Sequence, residues 1–155
     1  MKRLIGLLIV LLIFMFSMES WALGSCTETT EYRSKYNGMV VKKIACTGDA
    51  SNGTVPNQTI TIDGWIEKVE TDPGATAPTT LYDLVLNTTA GVDMMGGELG
   101  DRSATVSEVA RPKADVTYGT DYVDTVTMVT TNQTDVDALF DVYIWIYTHV
   151  PVSFY

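Results

Sequence analysis

Beyond the N-terminal residues, short segments alternate apolar and polar positions between turn-rich stretches, and no window of helical length carries apolar residues at intervals of three and four. The last segment shows it most clearly: in LFDVYIWIYT, residues 139–148, Phe140, Val142, Ile144 and Ile146 alternate with Asp141, Tyr143, Trp145 and Tyr147. Successive side chains of a strand point to opposite faces, so the aliphatic set is predicted to enter a core and Tyr143, Trp145 and Tyr147 to form a row on the other face. The same reading places strands over 29–36, 39–47, 59–70, 81–87, 105–110 and 122–130. The segments between them, GDASNGTVPN, TDPGATAPT and NQTD, are rich in turn formers. The pattern predicts an all-β chain, a single β-sandwich of immunoglobulin-like or jelly-roll-like type.

Parity assigns further inward residues. Tyr82, Leu84 and Leu86 share one face, and Cys46 shares its face with Ile44 and Val40, Lys42 breaking the set. Asp72-Pro73-Gly74 reads as a tight turn, Pro fixing φ and Gly supplying the permissive position. Thr89-Ala90-Gly91 and Gly96-Gly97 are expected to turn the chain again.

The first residues depart from this pattern. Lys2 and Arg3 precede an unbroken apolar run from Leu4 to Phe16, the order of a secretory signal, and the run is short for a bilayer span. Small residues near Ala22 to Gly24 suit cleavage, so the expected organisation is a signal peptide over 1–22, an N-terminal extension or first strand over 23–38, and the sandwich over 39–155. About 130 residues then remain, one domain's worth.

Export gives the two cysteines their meaning. Cys26 and Cys46 would form a disulfide in an oxidising compartment, worth about 3 kcal/mol in the chain-entropy model. Two alternatives stay open: lipidation of Cys26, since LGSC resembles a bacterial lipobox, or two free thiols. A membrane is a partner only if Cys26 is lipidated. The product is expected in the periplasm, at the cell surface or outside the cell.

Composition narrows the chemistry. Ten Lys and Arg face nineteen Asp and Glu, a net charge of −9, and clustered cations for phosphate binding are missing, which argues against a nucleic-acid partner. A lone histidine, His149, and two cysteines supply neither a nucleophile with its base nor a zinc ligand set. The glycines match no Walker loop or dinucleotide fingerprint. Asp121 with Asp124, or Asp135, Asp137 and Asp141, could gather around calcium, but neither set has EF-hand spacing, and solvated loop charges explain them as well. Asn52, Asn57, Asn87 and Asn132 head N-x-T triplets, which here follow from a composition rich in Asn and Thr. No catalytic residue, resident metal or cofactor is expected. The row of Tyr143, Trp145 and Tyr147 admits two explanations, packing under a loop or neighbouring subunit and binding of a ligand such as a glycan.

A set of phrases running from about Val40 to Ile146 carries a resemblance: VVKKIACTGDAS, Gly64-Trp65-Ile66, TDPGATAPTTLYD over 71–83, the glycine-rich step from Gly91 to Gly97 with Arg102 after it, and Val142 to Ile144. The chain resembles a group of small, virion-associated β proteins of tailed bacteriophages and prophages, with TDPGATAPTTLYD the most specific part. The export signal and Cys46, at a position where the pattern tends to carry a large aromatic, depart from it. The resemblance implies a compact β-sandwich that makes contacts and turns over no substrate. The expected function is a structural or interaction module of decoration type, its partner a second copy, a phage particle or a cell-envelope component. The alternative is a secreted or lipid-anchored surface module that binds a glycan or calcium.

Overall fold

Gly64 divides the longest strand among the described residues into two parts that serve different halves of one sheet. The structure, a computed structural model, describes residues 22–33, 38–113 and 122–148; the apolar run expected to act as an export signal, Asp121, the side chain of Asp124 and His149 lie outside them. The described residues form seven strands: β1 (Ser25–Arg33), β2 (Met39–Thr47), β3 (Gln58–Pro73), β4 (Asp83–Thr88), β5 (Glu108–Ala110), β6 (Tyr122–Thr131) and β7 (Leu139–Tyr147). All pairings are antiparallel, in the order β1-β2-β7-β3-β6-β4, with β5 also beside β3. There is no helix among the described residues.

Residues Gln58 to Gly64 of β3 pair with β6, and Trp65 to Pro73 pair with β7. Between them Gly64 adopts φ 127°, a conformation that side chains rarely tolerate, and its backbone lies against the Tyr147 carbonyl. One half-sheet therefore holds β1, β2, β7 and the second part of β3; the other holds the first part of β3, β6 and β4. Strands that bend from one layer into the next make the corners of such packings. Because β3 runs through both layers, the seven strands follow one continuous antiparallel order, folded so that the two layers enclose one core, the all-β architecture expected from the sequence.

Alternation sends one face of each half into a shared core. Ile60 and Ile62 of β3, Leu84 and Leu86 of β4, and Val126 and Met128 of β6 pack in one cluster with Ile44 and Cys46 of β2 and with Phe140, Val142, Ile144 and Ile146 of β7. The aliphatic row read from β7 is buried throughout. Tyr82 closes one end, its ring 5.0 Å from that of Phe140. Burial pushes its phenol up to about 12, with the Thr71 hydroxyl opposing the shift.

Some strand limits differ from the alternation pattern for local reasons. Leu81 has φ 63° and is exposed, so β4 begins at Asp83. Over 105–107 no strand forms, because the Ser103 hydroxyl accepts the backbone N–H groups of Thr105 and Val106 and curls the chain. The Asp72-Pro73-Gly74 turn is also corrected: β3 continues through Pro73, and Gly74 is not in the left-handed region. Gly74 donates its N–H to the Leu139 carbonyl at 2.7 Å, and a Cβ there would press on the Leu139 side chain and backbone. Close approach selects this glycine.

The loops at one end are tied by Gln133, which is 5% exposed. Its amide nitrogen donates to the carbonyls of Gly53 and Asp135, and its oxygen accepts the Thr79 N–H at 2.6 Å. Three separate connections are thus held by one side chain. Nearby, Asp49 accepts from the hydroxyl and N–H of Ser51 and from the Asn52 N–H, and these bonds, the Ser51 hydroxyl first, hold its carboxyl below the usual carboxylate range.

Candidate functional site

The outward face of the β1-β2-β7-β3 half carries the row of Tyr143, Trp145 and Tyr147, and the register shows what joins it. Tyr147 stands opposite Met39 on β2 and Trp65 on β3; Trp145 stands opposite Val41 and Lys68; Tyr143 stands opposite Lys43 and Glu70. Tyr32 of β1 lies beyond Val41 on the same face. A bulge in β3 between Ile66 and Lys68 adds one residue, Glu67, and keeps both Trp65 and Lys68 outward. Strict alternation from Trp65 would have turned Lys68 inward.

The row is half-buried, and the protein's own side chains provide the cover. Lys68 Nζ sits 4.1 Å from the centre of the Trp145 ring, and Lys43 Nζ 5.5 Å from that of Tyr143. Each contact is worth about 0.5–1 kcal/mol where water has access. Trp65 and Tyr147 approach at 5.7 Å with planes tilted by 50°. Both lysines are also paired with acids, Lys43 with Asp141 at 2.8 Å and Lys68 with Glu70 at 3.6 Å. The Asp141 contact raises the Lys43 pKa, and burial chiefly raises that of Tyr143. The result is a ring-and-stem surface on which both lysines are paired with acids of the same face.

Val41 reveals how well this outer layer packs. It is 3% exposed although it points away from the core, and its register partners here are Tyr32 and Trp145. Tyr32 and Trp65, at 51% and 44%, remain exposed toward the two sides of the strip. The Trp145 Nε1 is buried and has no acceptor. Tyr32, Val41 and Trp65 were absent from the sequence-derived row because their membership depends on strand order and on the Glu67 bulge.

Cys26 and Cys46 face each other across β1 and β2 and are joined, S–S 2.02 Å. A sulfur in this bond cannot also carry a diacylglycerol thioether. Among the described residues no three His, Cys, Asp or Glu side chains gather for a metal ion. Asp141, one of the acids considered for calcium, is engaged by Lys43, and Asp135 and Asp137 are exposed in the loop before β7. Two depressions lie on the core-forming strands, about 260 Å³ beside Cys46, Gly74 and Phe140, and about 190 Å³ between Lys42 and Asp63 at the β3 bend. Neither assembles a nucleophile with a base.

Comparison with known proteins finds no matching family model, no similar curated protein and no similar solved structure.

Proposed function

We propose that the protein is a non-enzymatic interaction module that docks a protein partner through the outward face of β2, β7 and β3. One observation carries this: a contiguous strip of Tyr32, Tyr143, Trp145, Tyr147 and Trp65 on a sheet surface, whose charges are already neutralised within the chain. Binding energy in protein interfaces concentrates in Trp, Tyr and Arg, where charged groups are depleted from the centre. The strip has that composition, and its inner members are pre-ordered by the lysine stems, which lowers the entropy cost of docking.

The setting is an exported one. The leader-like residues 1–22 and the Cys26–Cys46 bridge support a product that works in an oxidising compartment. The resemblance of residues 71–83 to virion-associated phage proteins supports a display role, on a particle or on the cell envelope, with self-association as its simplest form. Sedimentation equilibrium of the oxidised protein over a concentration series tests this. Trp65→Ser is expected to weaken association by more than about 1 kcal/mol, with the β spectrum unchanged. A parent protein that stays monomeric throughout, yet shifts its tryptophan fluorescence on adding an oligosaccharide, would replace this reading with the glycan one.

A further inference from the structure

β1 is the least anchored long strand of the sheet. It pairs with β2 alone, and none of residues 25–32 has a buried side chain. Among its described side chains only Cys26 packs against the core cluster, its sulfur bonded to the core residue Cys46; just before the strand, the Ala22 carbonyl accepts the Ala50 N–H at 3.0 Å. Apart from the ladder itself, β1 adds the ion pair of Glu28 with Lys42 at 2.6 Å, on side chains that still reach water. The bulge between Thr30 and Tyr32 interrupts the ladder near its far end. β2, by contrast, buries Val41, Ile44 and Cys46 and is paired with β7 along its whole length.

We propose that the Cys26–Cys46 bond is a redox latch on β1: cleaving it frees this strand while the rest of the sheet stays folded. A dithiol reductant would break the S–S bond, its two thiol hydrogens passing to the Cys26 and Cys46 sulfurs as the reductant becomes a disulfide. Release of β1 takes Tyr32 away and uncovers Val41 and one side of the aromatic strip, so the latch sets the composition of the outward face. That consequence rests on the docking reading above; the release of β1 does not.

The geometry makes the release distinguishable from general loosening. The Cα atoms of Cys26 and Cys46 are 4.2 Å apart, the narrow spacing of a non-hydrogen-bonded pair. In an antiparallel ladder the hydrogen-bonded positions alternate, so Thr27 and Thr29 exchange bonds with Ala45 and Lys43, whereas the amides of Ile44 and Cys46 turn toward β7. Residue-resolved amide exchange of the whole protein, with and without dithiothreitol, therefore reads the latch without any partner. After reduction the amides of Thr27, Thr29, Lys43 and Ala45 are expected to exchange about tenfold faster or more, with those of Ile44 and Cys46 and of β3, β6 and β7 unchanged. Cys26→Ala should show the same alternation without reductant. Unchanged protection of Thr27 and Thr29 in reduced protein or in the variant overturns the proposal, as does an equal loss at Ile44, Cys46 and β7.

Discussion

Gly64 presses its backbone onto the carbonyl of Tyr147, so closely that a Cβ at residue 64 would overlap that oxygen. Here β3 leaves β6 and joins β7, and the left-handed φ of 127° and the contact act together. Gly64→Ala is therefore expected to cost more than about 2 kcal/mol, through strain and through displacement of the end of β7. Urea unfolding at neutral pH checks it. A variant within about 0.5 kcal/mol of the parent would mean that the bend can move without loss.

Tyr82 ties stability to alkaline pH. Its phenol is fully buried, and its pKa is pushed up to about 12 from the ordinary 10.0, chiefly by burial. The neutral phenol is favoured in the folded state, so this contribution is complete below pH 10 and is lost as pH rises toward about 12. The loss amounts to about 3 kcal/mol over that window. The hydroxyl has no hydrogen-bond partner of good geometry, so Tyr82→Phe should be near neutral at pH 7 and should flatten the alkaline decline. Chemical denaturation at pH 7, 10 and 11.5 compares the two proteins.

Gln133 should matter more than its position in a polar loop suggests. Gln133→Ala removes partners from the Thr79 N–H and from the Gly53 and Asp135 carbonyls at once. A loss of about 2–3 kcal/mol is expected, with amide protection falling in the loops around residues 53, 79 and 134 before it falls in β7. Exchange measured in the variant locates the effect.

Asp49 provides an acid-side counterpart. Its carboxyl is held below the usual range, first by the Ser51 hydroxyl and then by the Ser51 N–H. A depressed carboxylate stabilises the folded state above the ordinary value near 3.9, and that contribution disappears as pH falls through the folded value. Asp49→Asn should remove this part of the acid dependence. Melting temperatures recorded from pH 6 down to pH 2 are expected to fall less steeply for the variant than for the parent.

The strands were legible because both halves of the sheet bury one face, which forces alternation on β2, β4 and β7. β1 was placed four residues late, since an edge strand without a buried face has no hydrophobic period to read. The sequence-derived row of Tyr143, Trp145 and Tyr147 does lie on one face. Its companions were not legible: Trp65 and Lys68 reach that face through a bulge, and Val41 and Tyr32 through a strand order that puts β2 beside the chain's last strand. Neither a bulge nor a long-range pairing leaves a periodic trace in the chain. Gln133 escaped for a similar reason, two of its three partners, Gly53 and Thr79, being drawn from distant loops.

The docking claim is tested most directly by placing a photo-crosslinking amino acid at position 65 or, as a control, at position 136, an exposed residue in the loop before β7. The protein, residues 1–155, is produced in the cell that carries the gene and is illuminated under oxidising conditions. The account predicts discrete protein adducts, to a second copy or to one envelope or particle component, from position 65 and none from position 136. Adducts from both positions alike, or none from position 65, would contradict it.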